Sequence, residues 1–267
     1  MSDIPVTEVL TESEGVRVER SGLLVHVTLD APDRRNAQTP AIWRVLADVP
    51  ACLEPTDRAV VLRATGPSFS AGLDTRMFTS EGIPGDESIL TVARRPVAEI
   101  DAFIRQAQRA FLWWREVPQI TVACVQGHAI GAGFQLALAC DLRVVADDVR
   151  FAMRETTWGL VPDLGGSGPL VSAVGYGRAL EICASGRFVG ADEALAVGLA
   201  HRVVPADELL SAAEELLAPI LKADAGAVAE LKHLLDGADS AEDQPARERE
   251  AQIRRLTTMV ALLGSDS

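Results

Sequence analysis

The chain lacks the long apolar run that a membrane-spanning helix requires. No apolar stretch in its 267 residues approaches the roughly 20 residues of such a span. The first residues, Met1 to Glu14, are polar and acidic, without the basic and apolar regions of a secretory leader. We therefore expect a soluble, cytoplasmic protein with no membrane partner.

Cysteines and basic residues are also scarce. The four cysteines are scattered through apolar stretches without paired metal-ligand spacing, which predicts reduced core residues and no metal site. Lys and Arg number 25 against 38 Asp and Glu, so the net charge is −13. An acidic protein repels nucleic acid at long range, so we expect no nucleic-acid partner, and a polyanionic ligand would need a local basic patch.

The most informative stretch runs from Val122 to Leu142 and reads VACVQGHAIGAGFQLALACDL. Its β-branched apolar start predicts a buried strand, the small residues Gly131 to Gly133 predict a turn, and Phe134 to Cys140 predict a helix. The first N–H groups of such a helix have no intrahelical partner. Together with the helix dipole, they suit an oxygen that becomes negative during a reaction.

The remaining pattern predicts a layered α/β fold with a helical tail. Val16 to Arg20 and Leu23 to Leu29 have the pattern of a β-hairpin, and Ala59 to Leu62 that of a strand buried on both faces. Thr39-Pro40 predicts the start of a helix that runs to about Leu53. Further segments predict the helix Val97 to Glu116, the strands Leu142 to Ala146 and His201 to Val204, and helices from Ala206 onward. Composition alone allows either one large domain with an appendage or two small domains.

The Val122 to Leu142 stretch and a second turn-rich stretch, FSAGLD at Phe69 to Asp74, together resemble the enoyl-CoA hydratase/isomerase (crotonase) family. The resemblance extends from about Val16 to at least Val204. It implies a spiral of ββα repeats over residues 1–204 and a C-terminal helical trimerisation region over 205–267. It also implies a homotrimer or homohexamer that acts on acyl-CoA thioesters. Coenzyme A would then be part of the substrate, with no tightly bound cofactor.

The resemblance implies that two backbone N–H groups, those of Ala71 and Ala132, hold the thioester oxygen while an enolate forms. Arg34 and Arg35 align with the basic segment that relatives place beside CoA, although such a pair could equally be solvated loop charges. The wider set of implied substrate contacts is Ala37, Ser70, Gly72, Leu73, Asp74, Gly131, Gln135 and Trp158.

The acid–base residues depart from the hydratase pattern. Hydratases of this family flank a water with two glutamates, but Gln135 stands where the first would be, and an amide cannot act as a general base. Glu155 matches the second glutamate. Asp163 occupies a position that carries the working carboxylate in several non-hydratase members. Asp163 could instead cap the helix that starts near Gly165, and Glu155 could pair with an arginine such as Arg154.

This residue set favours double-bond isomerisation over efficient hydration. Moving a double bond needs one group that removes a proton and returns it elsewhere, so Glu155 or Asp163 would suffice. Three alternatives stay open at this point: a weak enoyl-CoA hydratase, a non-catalytic acyl-CoA binding protein, and an aryl-CoA hydrolase or dehalogenase with Asp163 as its nucleophile.

Overall fold

The computed structural model describes residues 7–238 and 242–265, and in these residues the chain forms two β-sheets surrounded by helices. The strands are β1 (Thr7–Ser13), β2 (Val16–Ser21), β3 (Leu24–Leu29), β4 (Ala59–Ala64), β5 (Ile120–Val125), β6 (His128–Ile130), β7 (Leu142–Ala146), β8 (Arg150–Ala152) and β9 (Arg202–Val204). The large sheet has the order β1-β2-β3-β4-β5-β7-β9, antiparallel from β1 to β3 and parallel from there on. The small sheet pairs β6 with β8 in parallel.

Helices cover the large sheet and form the C-terminal part of the chain. They are α1 (Pro40–Asp48), α2 (Ile89–Val92), α3 (Val97–Glu116), α4 (Ala132–Ala139), α5 (Ser167–Val174), α6 (Tyr176–Ser185), α7 (Ala191–Ala196), α8 (Leu209–Lys222), α9 (Ala225–Leu235) and α10 (Gln244–Ser265). This mixed α/β architecture confirms the predicted fold class. Among the described residues, none of the helices is long and apolar enough to cross a membrane.

Strand β4 shows why valine-rich runs predict a strand that is buried on both faces. Val60 and Leu62 point into the large core, where they are fully buried with residues of α1, α3 and α4. Val61 points to the opposite face and belongs to a second apolar cluster. That cluster includes Ala213 and Leu217 of α8, which are also fully buried. Helix α8 therefore packs directly on the back of the sheet.

The start of α1 lies where its capping signal predicts it. Thr39 is the N-cap of α1, and its Oγ1 accepts a hydrogen bond from Ile42 N at 3.3 Å, as the Thr-Pro pair predicts. Helix α3 has the predicted bounds. Helix α1, however, ends at Asp48 rather than near Leu53, because Pro50 cannot donate a backbone hydrogen bond and the chain continues as the 3₁₀ turn Val49–Cys52.

Three strands were not predicted from the sequence. Strand β1 is mostly exposed and is recognisable only through its pairing with β2. Strands β6 and β8 have three residues each, too few for an alternating pattern. The segment from Thr75 to Pro96 contains the 3₁₀ turn Thr75–Phe78 and the short helix α2.

A buried ion pair anchors α9 to the core. Lys232 on α9 lies 2.8 Å from Asp141 Oδ2 and donates to the carbonyl oxygens of Trp114 and Gln119. Helix α10 carries several exposed apolar side chains: Ile253, Leu256, Met259 and Val260. The trimerisation role of residues 205–267 stays a prediction.

Candidate active site

The turn between β6 and α4 places the first N–H of a helix at an open position. Gly131, with φ +52°, is the N-cap of α4, and its N–H donates to Ala152 O of β8 at 2.8 Å. Ala132 is the first helical residue. Its N–H has no hydrogen-bond partner in residues 7–238 and 242–265. This donor is therefore free to bind an oxygen of a ligand.

The second turn, from Pro67 to Asp74, lies directly against the first. Ser70 N donates to His128 O at 2.9 Å, and Ile130 N donates to Ser70 O at 3.1 Å, so the segment adds a bridge to β6. Gly72 has φ +89°, and a Cβ there would lie 2.4 Å from Ile130 O and 3.8 Å from Ala132 N. Only glycine allows the two backbones to approach this closely.

The structure does not leave the Ala71 N–H free. This group donates to Arg35 O at 2.9 Å, which contradicts the expectation that it is available to a thioester oxygen. Leu73, two residues later, has an N–H without a hydrogen-bond partner in the described part of the chain. Because Leu73 directly follows Gly72, its N–H and that of Ala132 are open backbone donors close to the point where the two turns meet.

The loop around Arg34 and Arg35 is held against the second turn by Asn36. The Asn36 side chain accepts from Ala31 N at 2.8 Å and donates to Thr65 O and Ser68 O, both at 2.9 Å. Asn36 is 2% exposed and has φ +52°, so its hydrogen bonds hold a strained backbone position. Arg34 donates to Glu14 O at 3.3 Å, whereas Arg35 is exposed and Ala37 is half-buried.

Two of the predicted contacts, Ser70 and Asp74, are used within the protein. The Ser70 hydroxyl donates to Asn36 O at 2.8 Å and accepts from Gly72 N at 3.2 Å. The Asp74 carboxylate accepts two hydrogen bonds from the Arg76 guanidinium, which holds the pKa of this carboxyl below its usual value. Both side chains are buried and shape the turn instead of facing a ligand.

Gln135 and Glu155 meet beside the open donors. Gln135 is on the first turn of α4, and its Nε2 donates to Glu155 Oε1 at 2.7 Å. Gln135 Oε1 accepts from Leu164 N at 2.9 Å and from Gly166 N at 3.3 Å. Because two backbone donors hold the amide oxygen, the amide nitrogen must face the carboxylate.

The second oxygen of Glu155 is the one buried carboxylate oxygen of this site without a partner in the described chain. Glu155 Oε2 has neither solvent exposure nor a hydrogen bond. Burial raises the pKa of the Glu155 carboxyl, while the hydrogen bond from Gln135 opposes this shift. A Cβ at Gly131 would lie 3.4 Å from Glu155 Oε1, so the carboxylate is next to the start of α4. Arg154 does not pair with it, because the Arg154 guanidinium lies over the Phe188 ring at 5.8 Å.

Asp163 lies near the same site but does not cap a helix. Helix α5 has Gly166 as its N-cap, without a side-chain capping hydrogen bond. The Asp163 backbone is held by Gln108 of α3, which donates to Asp163 O at 2.7 Å. The residue is exposed to solvent, although the protein around the carboxyl still raises its pKa and its charge raises that of Glu155.

Trp158 forms an aromatic pair at the edge of the site. Its ring stacks on Phe78 with 5.1 Å between centroids and 18° between planes. Phe78 ends the 3₁₀ turn that follows Asp74, and Trp158 ends the 3₁₀ turn Glu155–Trp158. In the described ranges, no three or more His, Cys, Asp or Glu side chains cluster in a way that could hold a metal ion.

A family model described as enoyl-CoA hydratase/isomerase matches residues 19–261 of this sequence. The chain belongs to the enoyl-CoA hydratase/isomerase family. The chain is similar to a Thermobifida fusca YX protein assigned as an enoyl-CoA hydratase and solved with acetoacetyl-CoA. The TM-score is 0.86 at 40% identity, over 91% of this chain and 95% of that one. A CoA complex of that protein matches with a TM-score of 0.85.

Two further family members are similar in sequence. One is the Mycobacterium bovis protein named probable enoyl-CoA hydratase echA8, 30% identical over 84% of this chain and 82% of that protein. The other is the hydroxycinnamoyl-CoA hydratase-lyase of Pseudomonas fluorescens, 30% identical over 82% of this chain and 76% of that protein.

The open N–H of Leu73 and the position of Phe78 could not be predicted from the sequence. Leu73 was predicted only as a substrate contact, because a one-dimensional pattern does not show which N–H of a turn is already paired. Phe78 and Trp158 lie far apart in the sequence, and no local signal links the two. Phe78 can be assigned to the site only once the 3₁₀ turn Thr75–Phe78 is known.

Proposed function

We propose that this chain is an acyl-CoA enzyme that stabilises a thioester enolate between the N–H groups of Ala132 and Leu73. Both N–H groups are open, and Gly72 brings their backbones together. Backbone donors are in place before the charge develops, so they stabilise the enolate without reorganisation. Loss of one such donor typically costs about 10² to 10³ in rate. Leu73 replaces Ala71 in this role, because the Ala71 N–H is paired.

Coenzyme A is the carrier that this proposal assigns to the substrate. The solved relatives with CoA and acetoacetyl-CoA support it, at 40% identity. The net charge of −13 requires local cations for the phosphates. Arg34 and Arg35 lie on the loop that holds the second turn, and guanidinium groups pair well with phosphate oxygens.

Glu155 is the proposed acid–base residue, and its unpaired Oε2 is the observation that carries the proposal. A buried carboxylate oxygen without a partner is costly unless a ligand completes its hydrogen bonding. The raised pKa of the Glu155 carboxyl makes its ionised form a stronger base, and its protonated form can then return the proton to the substrate. Such a residue can take a proton from one carbon of an enoyl thioester and deliver it to another.

Isomerisation is favoured over hydration because Gln135 occupies the position of the first of the two hydratase glutamates. Its amide oxygen is held by two backbone N–H groups and its nitrogen faces Glu155, so Gln135 offers no site that accepts a proton from water. The relatives' names favour hydration as the alternative.

We also propose that the exposed apolar side chains of α10 contact other copies in a homotrimer or homohexamer, which light scattering would test.

The test is a direct comparison of two reactions. Wild-type protein should convert a 3-enoyl-CoA into the 2-enoyl isomer faster than it hydrates a 2-enoyl-CoA. Glu155→Gln should lower isomerisation by about 10² to 10⁴. The exposed Glu99→Gln serves as the charge-matched control.

Three results would contradict the proposal. A loss of isomerisation in Asp163→Asn that exceeds the loss in Glu155→Gln would assign the proton transfer to Asp163. Thioester binding without turnover would indicate a binding protein. A covalent adduct on Asp163 with an aryl thioester would indicate nucleophilic attack instead.

A further inference from the structure

The stacked rings of Phe78 and Trp158 join the two segments that carry the proposed chemistry. Phe78 ends the 3₁₀ turn Thr75–Phe78, which begins two residues after Leu73. Trp158 ends the 3₁₀ turn Glu155–Trp158, which begins with Glu155 itself. The ring contact therefore connects the segment of one oxyanion donor with the segment of the base.

The 3₁₀ geometry places Trp158 on the same side of its turn as Glu155. Side chains three residues apart are eclipsed in a 3₁₀ helix, and the rise is about 2 Å per residue. Trp158 thus lies about 6 Å along the turn axis from the Glu155 position. The indole is therefore one 3₁₀ turn away from the proposed base.

Trp158 is open to solvent in a way that the other tryptophans are not. Trp43, Trp113 and Trp114 are at most 6% exposed, whereas Trp158 is 61% exposed. Its neighbours Leu160 and Val161 are exposed as well. One face of the indole is covered by Phe78, and the exposure leaves surface on which a further ring could stack.

From this arrangement we infer that the acyl group carries an aromatic ring near the thioester, which extends the Phe78–Trp158 stack. The inference rests on the proposed acyl-CoA function and names its substrate class. Aromatic pairs contribute about 0.5 to 1.5 kcal/mol beyond the area that they bury. This corresponds to about a 2- to 12-fold preference over a saturated ring of the same size.

The experiment compares two thioesters that differ only in the aromaticity of one ring. The probes are 3-phenylpropanoyl-CoA and 3-cyclohexylpropanoyl-CoA, whose acyl chains have no double bond to hydrate or shift. Titration calorimetry with wild-type protein should give the phenyl compound the lower Kd, by about 2- to 12-fold. Trp158→Leu should remove this preference, since leucine keeps an apolar surface without a ring.

Two variants complete the design. Phe78→Leu should reduce the preference because Trp158 loses its stacking partner, whereas Tyr176→Leu removes a ring that is 72% exposed on α6 and should leave it unchanged. Thermal melts establish that each variant is folded. Equal Kd values for the two probes, or a preference that persists in Trp158→Leu, would overturn the inference while leaving the acyl-CoA function intact. Binding of neither probe would overturn both.

Discussion

Replacing Gln135 with glutamate would convert the proposed single acid–base site into a pair of carboxyl groups. A glutamate oxygen can accept the same hydrogen bonds from Leu164 N and Gly166 N, at 2.9 and 3.3 Å in the wild type, so the loop is retained. The other oxygen takes the place of Nε2, which lies 2.7 Å from Glu155 Oε1. In the variant, a carboxyl oxygen at position 135 then faces Glu155 Oε1, to which the Gln135 amide donates in the wild type.

The pair must hold one proton over a wide pH range. Two unit charges separated by 2.7 Å repel by about 6 kcal/mol at an effective dielectric constant of about 20. One carboxyl is therefore protonated when the other is ionised. Hydration needs this combination, a base for water and an acid for the carbon, and we expect Gln135→Glu to accelerate hydration by about 10² to 10⁴.

The assay follows the loss of the enoyl-thioester absorbance of 2-butenoyl-CoA in wild type and Gln135→Glu from acid to alkaline pH. The rate of the variant should fall at both extremes, because the shared proton is present only between the two ionisations. Gln106→Glu, which adds the same charge at an exposed position of α3, should hydrate like the wild type. A folded Gln135→Glu variant that binds the thioester normally but shows no gain in hydration would refute the reasoning.

Three further predictions concern the same site. Glu155→Gln should raise the melting temperature more at pH 8 than at pH 4. Burial raises the pKa of Glu155 in the folded protein, so the wild type loses stability as the pH rises from the unfolded-state pKa through the folded-state pKa. An equal gain in melting temperature at both pH values would contradict this prediction. Gln135→Met should cost about 1 to 3 kcal/mol in urea unfolding, since it leaves buried N–H groups unpaired. It should also move the acid limb of the isomerisation profile to higher pH, because the hydrogen bond that lowers the Glu155 pKa is lost. Gly72→Ala should reduce thioester turnover by at least about 10², because its Cβ would meet Ile130 O at 2.4 Å; Gly85→Ala, with a similar φ of +84° and open space around it, should retain turnover.

Local signals in the sequence were sufficient for much of the fold. The valine-rich strand β4 is buried on both faces as predicted, and the capping residue Thr39 sets the start of α1. These features depend on side-chain type and spacing over a few residues, which the sequence states directly. The same holds for the two glycine-containing turns, whose residues were sufficient to indicate the family. Strand β1 could not be predicted, because its only strong requirement is a partner strand.

What the sequence by itself determined is which residues can take part in the proposed chemistry: a glycine-containing turn that begins a helix, an amide at position 135 and a glutamate at 155. Only the tertiary structure decided which groups are free to act. The Ala71 N–H donates to Arg35 O, whereas the Leu73 N–H stays open. The N–H groups of Leu164 and Gly166 orient the Gln135 amide. These partners lie about 30 residues or more from the groups they pair, so a hydrogen-bond donor can be assigned as free or occupied only once the chain has folded.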